Sequence, residues 1–351
     1  MPDSICIGKV PTPSRAPGLD LVRCVALLFV PAVHFFFYSG YYTTPLGGGT
    51  LFLATTLRWL YYSCVPLFLL LSGYLLGRKE PNRAYYAKAL RIVFEYLIAG
   101  TLCILVRIFV VGETFTLRQI LGLFLHFEAA PYGWYLALYF GLFLLAPFVN
   151  VAYRGLKTRL QKKLLIGTLL LLTALPAFIN GIVNVFPSFW IDCWPLTYYL
   201  LGCYFAEYRP KLPKLPTLCA IMLLAIFGAG LSFYGAHGGP FPPNIPQGYG
   251  ALPTVVLSSL LFLLLYQVSP PRAMEKPLAV ISECSLSAYM LSWIFDARLY
   301  ALLTAQFPTL VERLPWLFVV PPVVFLCAVI AALPLRFAWR RISAKLPSAP
   351  L

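Results

Sequence analysis

Charged side chains are scarce in this chain, and acidic ones are the scarcest. Only 11% of its 351 residues are charged, with 12 Asp and Glu against 27 Lys and Arg, whereas soluble domains carry about 25%. This composition excludes an ordinary soluble domain. The nine cysteines are odd in number and form no Cys-x-x-Cys pair, so the sequence predicts neither a disulfide framework nor a cysteine-based metal site.

Apolar residues are abundant instead. They make up 60% of the chain, and the mean hydropathy of +0.80 indicates an integral membrane protein. We predict an all-α fold, a polytopic bundle of about ten transmembrane helices. The apolar segments of spanning length lie at about 19–41, 51–76, 90–111, 132–153, 164–184, 189–207, 216–235, 251–269, 278–300 and 316–338.

The distribution of basic residues orients these segments. The formal net charge is +15, and 22 of the 27 Lys and Arg lie at one side of the predicted bundle. Because cytoplasmic connections carry the excess of Lys and Arg, both termini are predicted to be cytoplasmic. This distribution accounts for the charge, so nucleic acid is not expected as a partner. Five arginines remain for the other side: Arg58, Arg107, Arg118, Arg298 and Arg313.

The first apolar segment is predicted to remain in the mature chain. It contains Asp20, Arg23 and Pro31 and has no clear cleavage site, unlike a signal peptide. The predicted organisation is a cytoplasmic tail over 1–18, one transmembrane domain over 19–341 and a cytoplasmic tail over 342–351. Any chemistry is therefore expected inside the bundle.

Asp20, Arg23 and His34 place polar groups within that first segment. Arg23 and His34 are eleven residues apart, so they share a helix face and lie roughly 16 Å apart at ~1.5 Å per residue. Ionisable residues inside a span usually face a cavity or a partner, which favours a functional site. The structural alternative is a core histidine and an arginine that reaches the lipid headgroups.

Two further groups of residues carry candidate chemistry. Ser72-Gly73-Tyr74 leads into a basic connection, where Lys88 and Arg91 share a helix face and could bind phosphates, or serve only as a positive-inside anchor. Trp134, Tyr135 and Asp192 fit either an interfacial aromatic belt or an acceptor pocket. Three other acidic residues near predicted segment ends are expected to be solvated or lipid-facing: Glu207, Glu283 and Asp296.

Six motifs, in order between residues 15 and 341, resemble the membrane-bound acyltransferase 3 family. They are Leu19-Asp20 with Arg23 and His34; Pro66-Leu-Phe-Leu-Leu-Leu-Ser-Gly-Tyr74; Lys88-Ala-Leu-Arg91; Trp134-Tyr135 with Tyr139 and Pro147; Tyr198-Tyr-Leu-Leu-Gly202; and Ser285-Leu-Ser-Ala-Tyr289. The resemblance implies transfer of an acyl group, mostly acetyl, from acyl-CoA to a hydroxyl of a surface carbohydrate, lipid or related acceptor. It also implies a bacterial cytoplasmic (inner) membrane as the location and no metal.

The predicted roles follow from these motifs and from the polar stripe. Catalytic roles are expected for His34 and Asp20, with a neutral imidazole taking the proton of the acceptor hydroxyl. Direct transfer and a transient acyl-histidine both fit. The residues expected to bind the donor are Arg23, Ser72, Tyr74, Lys88 and Arg91. Those expected to bind the acceptor are Trp134, Tyr135, Asp192 and Tyr289.

The sequence departs from the family pattern at two positions. The family commonly has arginine where Lys88 stands, and lysine cannot bind a phosphate bidentately. It commonly has histidine where Ser292 stands, which leaves a non-catalytic scaffold as one alternative. A transporter or lipid flippase, with Asp20, Arg23 and His34 as its pathway, is the other.

Overall fold

The computed structural model describes residues 16–241 and 248–344, and these contain helices and no strand. The parts of the predicted tails outside these ranges, 1–15 and 345–351, are not among the described residues. Ten main helical segments are labelled α1 to α10. They are Pro17–Tyr38, Gly48–Leu76, Arg83–Val111, Trp134–Gly155, Arg159–Asn180, Trp194–Tyr208, Lys214–Ala236, Leu252–Leu265, Arg272–Gln306 and Val320–Ser343.

Eight of these helices are long and apolar enough to cross a membrane, which confirms the predicted polytopic helix bundle. The other two, α6 and α8, have 15 and 14 residues. At ~1.5 Å per residue they fall short of the roughly 30 Å hydrocarbon layer. Two of the ten predicted spans are therefore shorter helices, which pack among the longer ones.

The contacts of α6 show that it runs the same way as α2 and α4. At its start, the Trp194 ring stacks on Tyr249, which also stacks on Trp134 at the start of α4. Near its end, the Cys203 thiol lies 3.4 Å from the carbonyl oxygen of Gly73, close to the end of α2. Consecutive helices thus alternate in direction between two ends of the bundle.

We call the end where α1 begins and α2 ends the basic end, and the other the opposite end. A close helix crossing lies near the basic end, between α2 and α6. A Cβ added to Gly73 would overlap the Tyr199 carbonyl, and one added to Gly202 would overlap that of Leu70. Small residues let helix backbones approach closely in membrane proteins. The Ser72-Gly73-Tyr74 and Gly202 motifs therefore have a packing role.

The centre of the bundle is α1, which packs against α2, α8, α9 and α10. Its buried residues face several directions and include Asp20, Val22, Val30 and Phe35. The longest helix, α9, has 35 residues and also contacts α3 and α10. These contacts hold Arg23 and His34 of α1 against α9.

Candidate active site

A cavity of about 300 Å³ opens at the basic end between α1, α2, α3, α4 and α9. Six of the residues predicted to bind the donor or the acceptor line it: Arg23, Ser72, Lys88, Arg91, Tyr135 and Tyr289. The remaining wall is largely apolar and includes Phe68, Ile92 and Leu286. The fold thus joins motifs from five separate helices in one space.

Each cation of this cavity is held differently. Arg23 Nη1 donates to the Ser282 hydroxyl at 2.9 Å. Arg91 Nε donates to Glu95 Oε1 at 2.6 Å, and Arg91 Nη2 donates to the carbonyl oxygen of Glu283 at 2.8 Å. Lys88 lies exposed at the mouth and forms no ion pair with any residue that the structure describes. Two guanidinium groups are therefore fixed, and one ammonium remains adaptable.

Both carboxylates of the cavity wall are already compensated. Glu95 is buried, and its second oxygen accepts the Ser287 hydroxyl at 2.7 Å. Glu283 accepts Arg336 Nε at 2.7 Å and Arg340 Nη2 at 2.8 Å. Because these negative charges are paired, the net field in the cavity is positive and suits an anionic ligand.

Further along α1, toward the opposite end, His34 meets a carboxylate of α9. Its Nδ1 lies 2.8 Å from Asp296 Oδ2, and the His34 and Asp296 side chains are 13% and 0% exposed. A carboxylate can only accept, so Nδ1 carries the proton in this contact. In the neutral ring the lone pair then lies on Nε2, which makes no hydrogen bond to any described residue. Nε2 is the atom available to accept a proton.

Tyr132 contacts both His34 and Asp296 and links them to the cavity. Its hydroxyl donates to Asp296 Oδ2 at 2.8 Å, and its ring lies 3.9 Å from that of His34. Burial, and then the nearby Asp296 charge, raise the pKa of Tyr132, so it remains a phenol that can donate. The Tyr289 hydroxyl, from the cavity wall, donates to the backbone oxygen of Tyr132 at 2.8 Å. One layer of tyrosines thus separates the cavity from His34.

A family model described as "Acyltransferase domain" matches residues 17–336, nearly the whole chain. The chain belongs to this acyltransferase family. The match confirms the resemblance seen in the motifs and makes the chain a multi-pass membrane acyltransferase. No curated protein and no solved structure matches the acyltransferase.

The expectation for Asp296 of the acyltransferase was wrong. Asp296 was expected to be solvated or lipid-facing because the ninth segment was predicted to end near residue 300. The helix continues to Gln306, and Asp296 is fully buried against His34. Helical spacing carried a usable signal, since Asp296 lies seven residues, about two turns, after Tyr289 and on the same face. The other two acids form ion pairs, Glu207 with Lys162 and Glu283 with Arg336.

Four of the predicted site residues neither line the cavity nor contact His34. Asp20 is buried in the first turn of α1, fourteen residues and about 21 Å before His34 at ~1.5 Å per residue. Tyr74 faces Phe262 and Tyr266. Trp134 is 45% exposed and stacks on Tyr249. Asp192 is exposed at the opposite end.

Two further observations concern the chemistry of the acyltransferase. Ser292, which stands where the family commonly has histidine, is buried and donates to the Tyr289 carbonyl of its own helix at 2.8 Å. It does not line the cavity. Within 16–241 and 248–344, no three His, Cys, Asp or Glu side chains converge as they would to hold a metal ion.

Proposed function

We propose that this acyltransferase moves an acyl group, most simply acetyl, from cytoplasmic acyl-CoA to a hydroxyl of a surface carbohydrate, lipid or related acceptor. The proposal rests mainly on one observation: Arg23, Lys88 and Arg91 line a single cavity that ends one tyrosine layer from His34. We place the basic end of the bundle in the cytoplasm of a bacterial inner membrane, because the Lys and Arg of the connections concentrate there.

The cavity fits the donor by charge and by surface. The phosphates of coenzyme A would meet Lys88 at the mouth and the fixed guanidinium of Arg91 beside it. The apolar wall formed by Phe68, Ile92 and Leu286 suits the uncharged arm that carries the acyl group. When bound, the donor supplies an activated thioester carbonyl.

The chain's own groups then move one proton. His34 Nε2 accepts the proton of the acceptor hydroxyl while its oxygen forms a bond to the carbonyl carbon. The carbon–sulfur bond breaks, and the imidazolium returns the proton to the departing thiolate. Asp296 holds the ring in the required tautomer and stabilises its positive charge, so it acts as a positioning residue.

Equilibrium binding of coenzyme A to the purified full-length chain tests the donor assignment. We expect saturable binding that weakens about tenfold or more in Arg91→Ala, since a charge-assisted hydrogen bond contributes roughly 1.5–3 kcal/mol. Arg298→Ala is the matched control, because Arg298 is exposed at the opposite end. Absence of saturable binding, or equal weakening in both variants, would contradict the proposal; uptake of solutes or lipid scrambling without donor would favour the transporter.

A further inference from the structure

A second, more open cleft, of about 370 Å³, lies near the end of α3. It is lined by Arg107 near the end of α3, Trp293 of α9 and four residues of the segment between α3 and α4: Glu113, Leu123, Glu128 and Pro131. Part of that segment is a short helix, Leu117–Leu125.

This cleft lies beside the contact between His34, Asp296 and Tyr132. Pro131 precedes Tyr132 in the chain, and Trp293 lies one helical turn after Tyr289 and three residues before Asp296. The Trp293 side chain also neighbours the Tyr38 hydroxyl, which lies 3.1 Å from that of Tyr132. Two residues of the cleft lining are therefore close in the chain to Tyr132 and Asp296, the two side chains that contact His34.

The polar groups of the cleft are partly fixed. Arg107 Nη2 and Nε donate to Glu113 Oε2 at 2.7 and 3.1 Å, and the Arg107 guanidinium lies 4.6 Å from the centre of the Phe115 ring. Glu128 is exposed and makes no ion pair with any residue that the structure describes. One guanidinium and two carboxylates give the lining a net charge of −1.

This lining selects for a chemical class. Carboxylates accept hydrogen bonds from hydroxyl and ammonium groups, and an indole ring offers an apolar face to the C–H side of a sugar ring. The uncompensated Glu128 repels phosphates, sulfates and carboxylates. We propose that the cleft bounded by Trp293, Glu113 and Glu128 binds the acceptor as a neutral or cationic polyhydroxyl ring, and that it disfavours anionic acceptors.

This assignment rests on the proposed function, since it names the acceptor class for the same reaction. Its test needs no acyl donor. Binding of glucose, glucosamine and glucose 6-phosphate to the purified full-length chain is measured by saturation-transfer NMR with titration. The three probes share one ring and differ in charge. We expect glucose and glucosamine to bind saturably, and glucose 6-phosphate at least about tenfold more weakly.

Variants assign the binding to the cleft. Trp293→Ala is expected to weaken both glucose and glucosamine, whereas Glu128→Gln is expected to remove most of the preference for glucosamine over glucose 6-phosphate. Glu80→Gln is the control, because Glu80 is 67% exposed at the basic end. Thermal unfolding of each variant checks its fold. Preferred binding of glucose 6-phosphate, no binding of any sugar, or an unchanged preference in Glu128→Gln would overturn the inference, while coenzyme A binding would still report on the donor assignment.

Discussion

At the scale of single residues, the contact between His34 and Asp296 decides which nitrogen can act as a base. The two residues are 262 positions apart in the chain. The sequence indicated His34 because an ionisable group inside a span is unusual. Helical spacing could place Asp296 on the same face as Tyr289 but not opposite His34, since that pairing depends on how α1 packs on α9. Asp296 Oδ1 is buried and makes no hydrogen bond to the described residues, so the polar contacts of the carboxylate concentrate on the side that faces His34 and Tyr132.

Replacing Asp296 by asparagine tests this positioning role. An amide can donate to Nδ1 and so favours the tautomer that lacks a free Nε2 lone pair. We expect Asp296→Asn to lower kcat by roughly 10²- to 10⁴-fold while the donor KM stays within about twofold. Tyr132→Phe removes one hydrogen bond to the carboxylate but keeps the tautomer, so its expected loss is smaller, about tenfold. Equal losses of kcat in the two variants, or an effect on the donor KM alone, would contradict the positioning role of Asp296.

Lys88 is the residue whose departure from the family pattern can be tested directly. It is exposed at the cavity mouth and unpaired with any described residue, so a longer, planar guanidinium has room to bind a phosphate bidentately. We expect Lys88→Arg to lower the donor KM by about threefold and Lys88→Ala to raise it by about tenfold, with kcat unchanged. Steady-state kinetics at two salt concentrations measure this, since a phosphate contact weakens with salt. If neither substitution changes the donor KM, the phosphates bind elsewhere.

At the scale of helices, the same motifs that mark the family also pack the bundle. Ser72 lines the cavity at the basic end, whereas the neighbouring Gly73 lies against the backbone of α6. Tyr199 of α6 donates to the Asn150 side chain of α4 at 2.9 Å, which links a third helix to this crossing. A glycine in a family motif therefore need not contact a ligand. The close packing of α2 against α6 explains why residue 73 is glycine.

Replacing Gly73 by alanine tests this packing role. Its Cβ would overlap the Tyr199 carbonyl, so α2 and α6 have to separate. We expect a loss of stability of about 2–4 kcal/mol, measured as a lower midpoint of thermal unfolding in detergent. Gly167→Ala is the control, because a Cβ there has nothing within 4 Å, and alanine in a helix interior is favoured by roughly 0.5–1 kcal/mol. Equal unfolding midpoints for the two variants would remove the packing role.

The helices themselves were largely predictable, and their lengths were not. Each of the ten apolar segments drawn from the sequence corresponds to a helix, because long apolar runs have few other structures in a membrane. Hydropathy does not separate a spanning helix from a shorter helix enclosed by others, which is why α6 and α8 looked like ordinary spans. It also placed the end of α9 six residues too early, and this error hid the burial of Asp296.

At the scale of the whole molecule, Tyr289 lines the cavity at the basic end, and its hydroxyl donates to the backbone oxygen of Tyr132 beside His34. The second cleft is lined by Pro131 and Trp293, which are close in the chain to Tyr132 and Asp296. This arrangement suits a reaction whose donor and acceptor come from different sides of a membrane. The alternation of basic residues predicts which side is which, but the arrangement of the two cavities could not be read from the sequence, because it depends on the packing of five helices.

Cysteine accessibility tests the predicted orientation. Cys193, just before α6, is exposed at the opposite end and is expected to face outward. A membrane-impermeant maleimide should label it in intact right-side-out vesicles. In a background with Cys6, Cys193 and Cys219 all replaced by serine, Glu80→Cys places a thiol in the basic connection, and this thiol should react only after the vesicles are permeabilised. The reverse pattern of labelling would place the cavity of the basic end on the outer face and contradict the proposal of a cytoplasmic donor.

The most direct test of the central claim is acyl transfer by variants of two of the chain's three histidines. Purified protein is incubated with radiolabelled acetyl-CoA and a membrane extract, and both thioester consumption and labelled product are measured. We predict that His34→Ala abolishes both while coenzyme A binding persists, and that His237→Asn, which changes an exposed histidine at a left-handed position, retains both. Near-normal transfer by His34→Ala would contradict the account.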